Sequence, residues 1–331
     1  MDEFGLIRRY FAALSEPGSS VIRGIGDDAA ILAPPIGHEL LMTSDTLVAG
    51  RHFPLSTTAF DIGWKSLAVN LSDLAAMGGQ PLWFLLALTL PEPDEAWLAG
   101  FAAGLGELAR EQGIALVGGD TTRGSLSITI TAVGSAPAGS ALRRDRAQAG
   151  DLVCVTGTLG DAALGLRLTG HLAAAMQDEV REPCAQTQLD RVALRARLDR
   201  PTPRLAAGLA LRGLATAAID LSDGLAGDLG HVLAASGVGA EIEADALPMS
   251  DAFMRQAECS DRLVLQAAGG DDYELCVCLP LAHLLRAQQA LGTLPLTVIG
   301  RVSAEPGLRW QAPDGRLLTQ GLQSYQHFDE R

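Results

Sequence analysis

The strongest constraint on the fold comes from residues 61–77, which have helical periodicity but no solvent-facing side. Apolar residues recur at the i, i+3, i+4 spacing of a single helical stripe, namely Trp64, Leu67, Ala68, Leu71, Leu74 and Ala75. The remaining face carries Ser66, Asn70, Asp73 and Met77 instead of the long charged side chains of an exposed helix. The pattern therefore predicts a helix that is buried nearly all round. Asp73 then needs a partner, because an unpaired buried charge is very costly.

The length of the chain, 331 residues, exceeds what one hydrophobic core usually supports, so two domains are expected. Strand-like and helix-like segments are mixed in both halves, which predicts an α/β (α+β) fold in each. The small-residue segment 134–139 is the best candidate linker. We therefore predict one domain over residues 1–137 and a second over residues 138–331.

The formal net charge of −14 disfavours binding to nucleic acids or anionic membranes, which requires a basic surface. The N-terminus shows no signal-peptide pattern, and the longest apolar run, residues 82–90, is too short to span a bilayer. A cytoplasmic location is expected.

The five cysteines form no C-x-x-C pair, which argues against a disulfide framework or a structural zinc site. Cys276 and Cys278 alternate along an apparent strand and are expected to be packed thiols.

Aspartates recur on tight, small-residue turns along the whole chain. They are Asp27, Asp28, Asp45, Asp73, Asp120, Asp220, Asp223, Asp271 and Asp272. One such motif alone is typical of a turn or a helix cap, but carboxylates on tight backbone are also natural ligands for Mg²⁺. Two carboxylates about 4 Å apart repel by roughly 4 kcal/mol at an effective dielectric constant of 20, so gathering several requires cations. The set indicates metal-dependent phosphate chemistry without distinguishing a kinase, a hydrolase and a ligase.

Familiar nucleotide motifs do not explain this pattern. Residues 24–29 formally match a dinucleotide fingerprint, but two prolines follow instead of a helix, and two aspartates occupy the place of the pyrophosphate. The chain also lacks a G-x-x-x-x-G-K-[ST] loop. Ser222 is interpreted as a helix N-cap or as a phosphate contact at the positive end of a helix. The basic residues 143–146 are interpreted as a solvated loop or as a phosphate contact.

Taken in order, the motifs resemble those of the thiamine-monophosphate kinases. The similarity rests on Gly-Ile-Gly-Asp-Asp-Ala at 24–29, Thr-Ser-Asp-Thr at 43–46, Asn-Leu-Ser-Asp-Leu at 70–74, Gly-Gly-Asp-Thr-Thr at 118–122, Asp-Leu-Ser-Asp-Gly at 220–224 and Gly-Gly-Asp-Asp-Tyr-Glu-Leu at 269–275. That family belongs to a superfamily with aminoimidazole ribonucleotide synthetase and selenophosphate synthetase. The resemblance implies two mixed-sheet domains of this type, and a homodimer in which the N-terminal sheets pair. Residues 1–137 are expected to bind metal and ATP and to dimerise, and residues 138–331 to complete the ATP and substrate site.

The resemblance also implies ATP-dependent conversion of thiamine monophosphate to thiamine diphosphate. It assigns Mg²⁺ binding to Asp28, Thr43, Ser44, Asp45, Asp73, Asp120, Asp220 and Asp223. It assigns ATP contacts to Gly119, Asp120, Arg144 and Ser222, and contacts with thiamine monophosphate to His52, Asp271 and Tyr325. No catalytic general base is expected, because the acceptor phosphate, with a second pKa of about 6, is largely ionised at neutral pH.

Two departures from the family pattern affect the substrate residues. The family often has Gly-Gly-Glu-Asp where this chain has Gly-Gly-Asp-Asp, so Asp271 has a shorter reach. The aromatic role of Tyr325 could instead belong to Phe328. A further expectation concerns Asp27 and Asp28: if residues 25–31 are extended, the two side chains point to opposite faces. Asp28 is then the ligand, and Asp27 braces the turn or binds through water.

Two alternatives to this function remain open at the level of sequence. One is another ATP-dependent enzyme of the same superfamily, although selenophosphate synthesis is disfavoured because no cysteine precedes Cys154. The other is a non-catalytic protein that binds magnesium and a nucleotide. Formation of thiamine diphosphate from MgATP and thiamine monophosphate distinguishes the kinase from both.

Overall fold

A computed structural model describes residues 3–14, 20–169, 185–318 and 322 of the chain. It divides into two compact units. The N-terminal unit comprises Met1–Leu74 and Gly79–Ala141, and the C-terminal unit comprises Ala75–Gly78 and Leu142–Arg331. Each unit combines helices with a mixed β-sheet, which confirms the predicted fold class. Tyr325 and Phe328 lie outside the described residues.

The N-terminal unit is built on a four-stranded sheet with the order β3-β6-β4-β5, in which β4 and β5 are parallel and the other neighbours antiparallel. A separate pair of short strands, β1 and β2, is antiparallel. The elements are α1 (Glu3–Leu6), β1 (Val21–Arg23), β2 (Ile31–Leu32), β3 (His38–Val48), α2 (Ala59–Ala76), β4 (Gln80–Leu90), α3 (Glu95–Gln112), β5 (Ala115–Arg123) and β6 (Ser127–Pro137).

Helix α2 is buried on nearly all sides, as its sequence predicts. Its apolar stripe is inaccessible to solvent at Leu67, Ala68 and Leu71, and its polar face is equally inaccessible at Asn70 and Ser72. Glycines of α3 allow part of this close packing, because a Cβ at residue 104 would lie 1.9 Å from the carbonyl oxygen of residue 60. The same helix contains Lys65, the only lysine of the chain, with 1% of its surface exposed.

Strands β5 and β6 include segments that the sequence pattern assigns to a turn and to a linker. Residues 118–122, interpreted from sequence as a turn, belong to β5 and pair with β4, so that Asp120 lies opposite Ala87. Strand β6 continues through Pro137, where it pairs with His38 of β3. Residues 134–137 are therefore part of the sheet rather than a linker, and the two compact units divide between residues 141 and 142.

The C-terminal unit contains a six-stranded sheet with the order β12-β9-β11-β7-β10-β8, antiparallel except for the β12–β9 pair. Its core lies between this sheet and α7. The elements are β7 (Leu152–Thr156), α4 (Asp161–Leu168), α5 (Ala185–Asp199), α6 (Leu205–Leu211), β8 (Ala217–Asp220), α7 (Leu225–Ser236), β9 (Gly239–Glu243), α8 (Asp251–Gln256), α9 (Arg262–Ala268), β10 (Leu275–Leu279), α10 (Leu284–Leu291), β11 (Leu296–Ser303) and β12 (Gly307–Gln311).

The sheet cysteines are packing residues, as expected. Cys154 of β7 lies beside β10, which carries Cys276 and Cys278, and all three thiols are buried. Burial raises the pKa of Cys154 to about 12 and also raises the pKa of Cys276. Thiols of this kind are inert, because the thiolate is the reactive form.

Over the described ranges, none of the helices has both the length and the apolar character needed to cross a membrane.

Candidate functional site

Thr43 and Asp45 lie on β3 and are tied to α2 by side-chain contacts. The Thr43 hydroxyl donates a hydrogen bond to Asp73 Oδ2, and the Asp45 amide donates to Asn70 Oδ1 at 3.1 Å. Residues two apart on a strand share a face, so Thr43 and Asp45 face α2 together. The expectation that Asp73 needs a partner is confirmed. We call Thr43, Asp45 and Asp73 the β3–α2 group.

Ser44 belongs to the opposite face of β3, because side chains alternate along a strand. Its hydroxyl donates to the carbonyl oxygen of Ile130 at 3.2 Å and lies 3.0 Å from the hydroxyl of Thr131, both on β6. The structure thus groups Thr43 and Asp45 with Asp73, and directs the Ser44 hydroxyl towards β6.

Asp28 and Asp120 line a cavity of about 1200 Å³ in the N-terminal unit. Residues 25–30 form one wall of this cavity, and residues 118–121 of β5 form another. Both carboxylates are exposed, whereas much of the remaining lining is apolar, including Met42 and Trp83. These two aspartates make up a second set of oxygen donors in this unit.

Gly119, a predicted ATP contact, is required by the sheet itself. Its φ is 150°, and a Cβ at this position would lie 1.8 Å from the carbonyl oxygen of Leu86. The register of β4 and β5 is also irregular just before this point. A glycine is therefore needed for the two strands to pair alongside Asp120.

His52 follows β3 and turns back onto its last residue. The Val48 amide donates a hydrogen bond to His52 Nδ1 at 3.0 Å. Because Nδ1 accepts, the neutral imidazole carries its proton on Nε2. The contact therefore fixes both the tautomer and the orientation of the ring.

Arg144 lies in the exposed basic segment of the C-terminal unit. Its backbone is anchored, since its carbonyl oxygen accepts from the Ser236 hydroxyl at 3.0 Å. The neighbouring Arg143 is paired with Asp145, and this hydrogen-bonded contact lowers the pKa of the Asp145 carboxyl. Arg143 is therefore less available for a phosphate contact than Arg144, the residue to which the resemblance assigns that contact.

Asp220 and Asp223 bracket a loop between β8 and α7. Asp220 is buried at the end of β8, and Asp223 is half-buried. The loop is fixed from inside by Asp228 in the first turn of α7, whose Oδ2 accepts the amides of Ser222, Asp223 and Gly224 at 3.0, 3.1 and 3.1 Å. Burial, with the nearby charge of Asp223 as the second cause, raises the pKa of Asp228 to about 7.

A second loop, which carries Asp271, docks against the first. The Asp271 amide donates to the Ser222 carbonyl oxygen at 2.9 Å, and the Tyr273 amide donates to that of Leu221 at 2.8 Å. Asp271 and Tyr273 both have left-handed backbone, with φ of 67° and 50°. The Tyr273 hydroxyl donates to Asp271 Oδ1 at 3.1 Å. The carboxylate of Asp271 is thereby oriented by the residue two positions on.

Buried acidic residues anchor this strained loop. Asp272 accepts the Gly160 amide at 3.0 Å, and burial raises its pKa well above the usual value. Glu274, which is fully buried, accepts from Arg197 at 2.8 Å and from Arg204 at 2.7 Å. Breaking a buried pair of this kind costs about 3–5 kcal/mol, because it leaves an uncompensated charge. The loop geometry is therefore held by the interior of the unit.

Two sequence interpretations require correction. Residues 25–29 form bends, with Gly26 at a φ of 110°, so the argument from strand alternation does not apply to them. Asp27 nonetheless braces the turn as expected: it accepts the Asp28 amide at 3.0 Å and pairs with Arg23 at 3.2 Å. The interpretation of Ser222 as a helix N-cap is wrong, because Gly224 occupies that position.

Sequence reasoning missed Asp228, Tyr273 and Glu274 as parts of the site. A signal for Asp228 was present, because an acidic residue in the first turn of a helix is typical of a reciprocal cap. The roles of Tyr273 and Glu274 depend on contacts with distant residues or on unusual backbone angles, which the local pattern does not specify.

The donor set fits Mg²⁺ better than a softer metal, since the candidate ligands supply only carboxylate and hydroxyl oxygens. Within the part of the chain that the structure describes, no three acidic, histidine or cysteine side chains form a group able to hold a metal ion. Mg²⁺ typically binds one or two carboxylates together with waters and substrate phosphates. Small, separate sets of oxygen donors therefore suit a site that is completed by a bound phosphate compound.

Comparison with known proteins agrees with this chemistry. Residues 26–136 match the family model "AIR synthase related protein, N-terminal domain", and residues 148–312 match the corresponding C-terminal domain. The thiamine-monophosphate kinase of Salmonella typhimurium is 46% identical over 329 residues, covering 98% of each chain. The chain belongs to the thiamine-monophosphate kinase family. It is therefore a kinase.

Solved structures extend the similarity to the fold. The thiamine-monophosphate kinase from Stenotrophomonas maltophilia superimposes with a TM-score of 0.84 and 48% identity, covering 96% of this chain and 98% of that one. The structure of AaThiL complexed with AMPPCP and TMP gives a TM-score of 0.74 and 32% identity, covering 98% and 97% of the two chains. Solved thiamine-monophosphate kinases thus have the same fold, with two sheet-containing units.

Proposed function

We propose that the protein transfers the γ-phosphoryl group of ATP directly, in line, to the phosphate of thiamine monophosphate, giving thiamine diphosphate and ADP. Support comes from the family membership and from the related protein complexed with AMPPCP and TMP. The observation that supports the direct mechanism is the set of carboxylate and hydroxyl oxygens suited to Mg²⁺, and the proposal assigns no general base to the reaction. None is required, because the acceptor phosphate, with a second pKa of about 6, is already ionised.

The residues proposed to hold Mg²⁺ are the β3–α2 group, Ser44 on the opposite face of β3, the cavity pair Asp28 and Asp120, and the loop pair Asp220 and Asp223. Bound Mg²⁺ supplies charge compensation for the two phosphates and helps to align them. The hydrogen bond from Thr43 to Asp73 and the contact of the Asp45 amide with α2 hold these groups in place before substrate arrives.

The remaining site residues are proposed to bind and orient the two substrates. Ser222 and Arg144, with Gly119 and Asp120, contact ATP, and Arg144 adds a positive charge that does not come from metal. His52, Asp271 and Tyr325 contact thiamine monophosphate. The intramolecular contacts described above orient His52 and Asp271, which limits the entropy lost on binding.

The assembly that we propose is a homodimer formed through the sheet face opposite α2. Leu40 and Met42 of β3 are 46% and 68% exposed there, and Leu85 of β4 is 42% exposed. All three line the cavity of the N-terminal unit. Clustered exposed apolar residues of this kind mark an interaction site, and the family resemblance supports a second copy of the chain as its occupant.

The proposed function is tested by incubating the protein with MgATP and thiamine monophosphate and separating the products. Equal amounts of thiamine diphosphate and ADP are expected. Formation of ADP and inorganic phosphate, without thiamine diphosphate, would indicate hydrolysis or ligation instead. Binding of MgATP without turnover of any phosphorylated acceptor would indicate a non-catalytic nucleotide-binding protein.

A further inference from the structure

The Asp228 carboxylate occupies a position that resembles an anion-binding site. Three consecutive amides, those of Ser222, Asp223 and Gly224, converge on its Oδ2 within 3.1 Å. Successive amides directed at one point form an anion-binding nest. Here the group that occupies the nest is a side chain of the protein itself, and Asp228 is only 4% exposed.

The loop that Asp228 holds is fixed on its other side as well. The carbonyl oxygens of Leu221 and Ser222 accept the amides of Tyr273 and Asp271 at 2.8 and 2.9 Å. Hydrogen bonds to both its amides and its carbonyl oxygens thus define one backbone conformation. Removal of the Asp228 carboxylate would leave three amides of the loop without this acceptor, and the backbone that carries Asp223 would lose the hydrogen bonds that fix it.

Asp228 differs from an ordinary helix cap in two ways, its proximity to Asp223 and its effect on phosphate binding. The carboxyl group of Asp228 lies near that of Asp223, whose charge is the second cause, after burial, of the raised pKa of Asp228. It also fills the nest, so the amides of residues 222–224 cannot receive a nucleotide phosphate. Phosphate binding at this loop is left to side chains such as the Ser222 hydroxyl, and to cations.

We infer that Asp228 is a positioning residue: it sets the backbone of residues 222–224, directs the Asp223 carboxylate towards a divalent cation and closes the amide nest to phosphate. The inference rests on the proposed function for the role of Asp223 as a cation ligand. Asp228 acts through the loop and does not contact the reacting groups.

The test measures Mn²⁺ binding, by titration calorimetry in the presence of the non-hydrolysable ATP analogue AMPPCP, for the wild type and for Asp228→Ala and Asp228→Asn. Asp228→Ala is expected to weaken Mn²⁺ binding at least about tenfold, in line with loss of a residue that orients a ligand. Asp228→Asn retains an acceptor oxygen, and about threefold weakening is expected.

Asp190 provides matched control variants, Asp190→Ala and Asp190→Asn. Its carboxylate is 2% exposed and accepts hydrogen bonds from Gln186, Arg255 and Gln256, remote in sequence from the loop. Thermal unfolding should show that replacing Asp190 destabilises the protein as replacing Asp228 does. Mn²⁺ affinity should change only with Asp228.

The outcomes distinguish failure of the inference about Asp228 from failure of the proposed function. If Asp228→Ala lowers the melting temperature but binds Mn²⁺ like the wild type, Asp228 is merely structural and the inference is wrong. If Asp228→Ala does not fold, Asp228→Asn decides: affinity equal to that of Asp190→Asn overturns the inference, and about threefold weaker affinity supports it. A wild-type protein that does not bind Mn²⁺ with AMPPCP would instead contradict the proposed function.

Discussion

Asp271 and Tyr273 have a backbone conformation that most side chains avoid, and left-handed residues of this kind cost about 1–3 kcal/mol each. Such residues cluster where function demands a particular geometry. Asp is one of the few residues enriched in this region, because its short polar side chain causes little steric conflict. The Asp at position 271 therefore suits the backbone that the loop adopts.

At the same scale, Tyr273→Phe tests whether the hydroxyl orients Asp271. The change removes a hydrogen bond to a carboxylate, so the KM for thiamine monophosphate should rise about tenfold, with kcat and the melting temperature little changed. Steady-state kinetics with each substrate varied in turn measure the effect. Tyr10→Phe is the matched control, because its hydroxyl donates to a backbone carbonyl oxygen at Glu95. An unchanged KM in Tyr273→Phe would exclude the orienting role.

Asp73 permits a sharper test of the metal site. Asp73→Asn preserves shape and can still accept from Thr43, but it loses the negative charge that a cation requires. Turnover should fall about 100-fold or more, because several kcal/mol of charge stabilisation depend on the ion. The melting temperature should change little. Asp61→Asn, in the first turn of the same helix, is expected to retain activity. Near-wild-type turnover of Asp73→Asn at saturating Mg²⁺ would show that the assigned role is wrong.

At the level of elements, helices and strands with a strong local pattern were predictable. Helix α2, with its apolar stripe, is one example, and strand β10, which carries Cys276 and Cys278, is another. The strand conformation of the Gly-Gly-Asp segment at 118–120 was not predictable, because glycine and aspartate are typical of turns. Pairing with β4 overrides this local preference. The parallel pairing of β12 with β9 is likewise non-local.

The position of Gly119 in β5 leads to a prediction about stability. Gly119→Ala should destabilise the protein by about 3 kcal/mol, because its Cβ would meet the Leu86 carbonyl oxygen on the neighbouring strand. Gly230 of α7 is the matched control: it has open space at its Cβ position, and alanine there should stabilise by about 0.5–1 kcal/mol. Urea denaturation measures both changes. Equal stabilities of the two variants would contradict the described pairing of β4 and β5.

The sequence predicted the residue types of the candidate site but not all of the contacts between its elements. The sequence indicated an oxygen-donor site and a partner for Asp73, because both follow from residue chemistry and burial. It did not indicate that Asp228 fills the amide nest or that Glu274 joins two arginines, since these contacts depend on how separate elements pack.

At the scale of the whole molecule, the exposed apolar face of the N-terminal sheet predicts the oligomeric state. The protein should sediment as a dimer, and Met42→Glu should shift it towards the monomer, because it places a charge within an apolar interface. Met254→Glu is the matched control, since Met254 of α8 is also exposed, at 47%, but lies in the other unit. Analytical ultracentrifugation over a range of concentrations distinguishes the two. A monomeric wild type, or a Met42→Glu variant that remains dimeric, would refute the proposed interface.

The burial of Lys65 has a consequence for the chemistry of the intact protein. The chain contains 24 arginines but this single lysine, enclosed within α2. Reagents that acylate side-chain amines therefore have no lysine target on the folded surface. They reach Lys65 only when α2 leaves its packed surroundings, so acylation of this one side chain reports the opening of the N-terminal core.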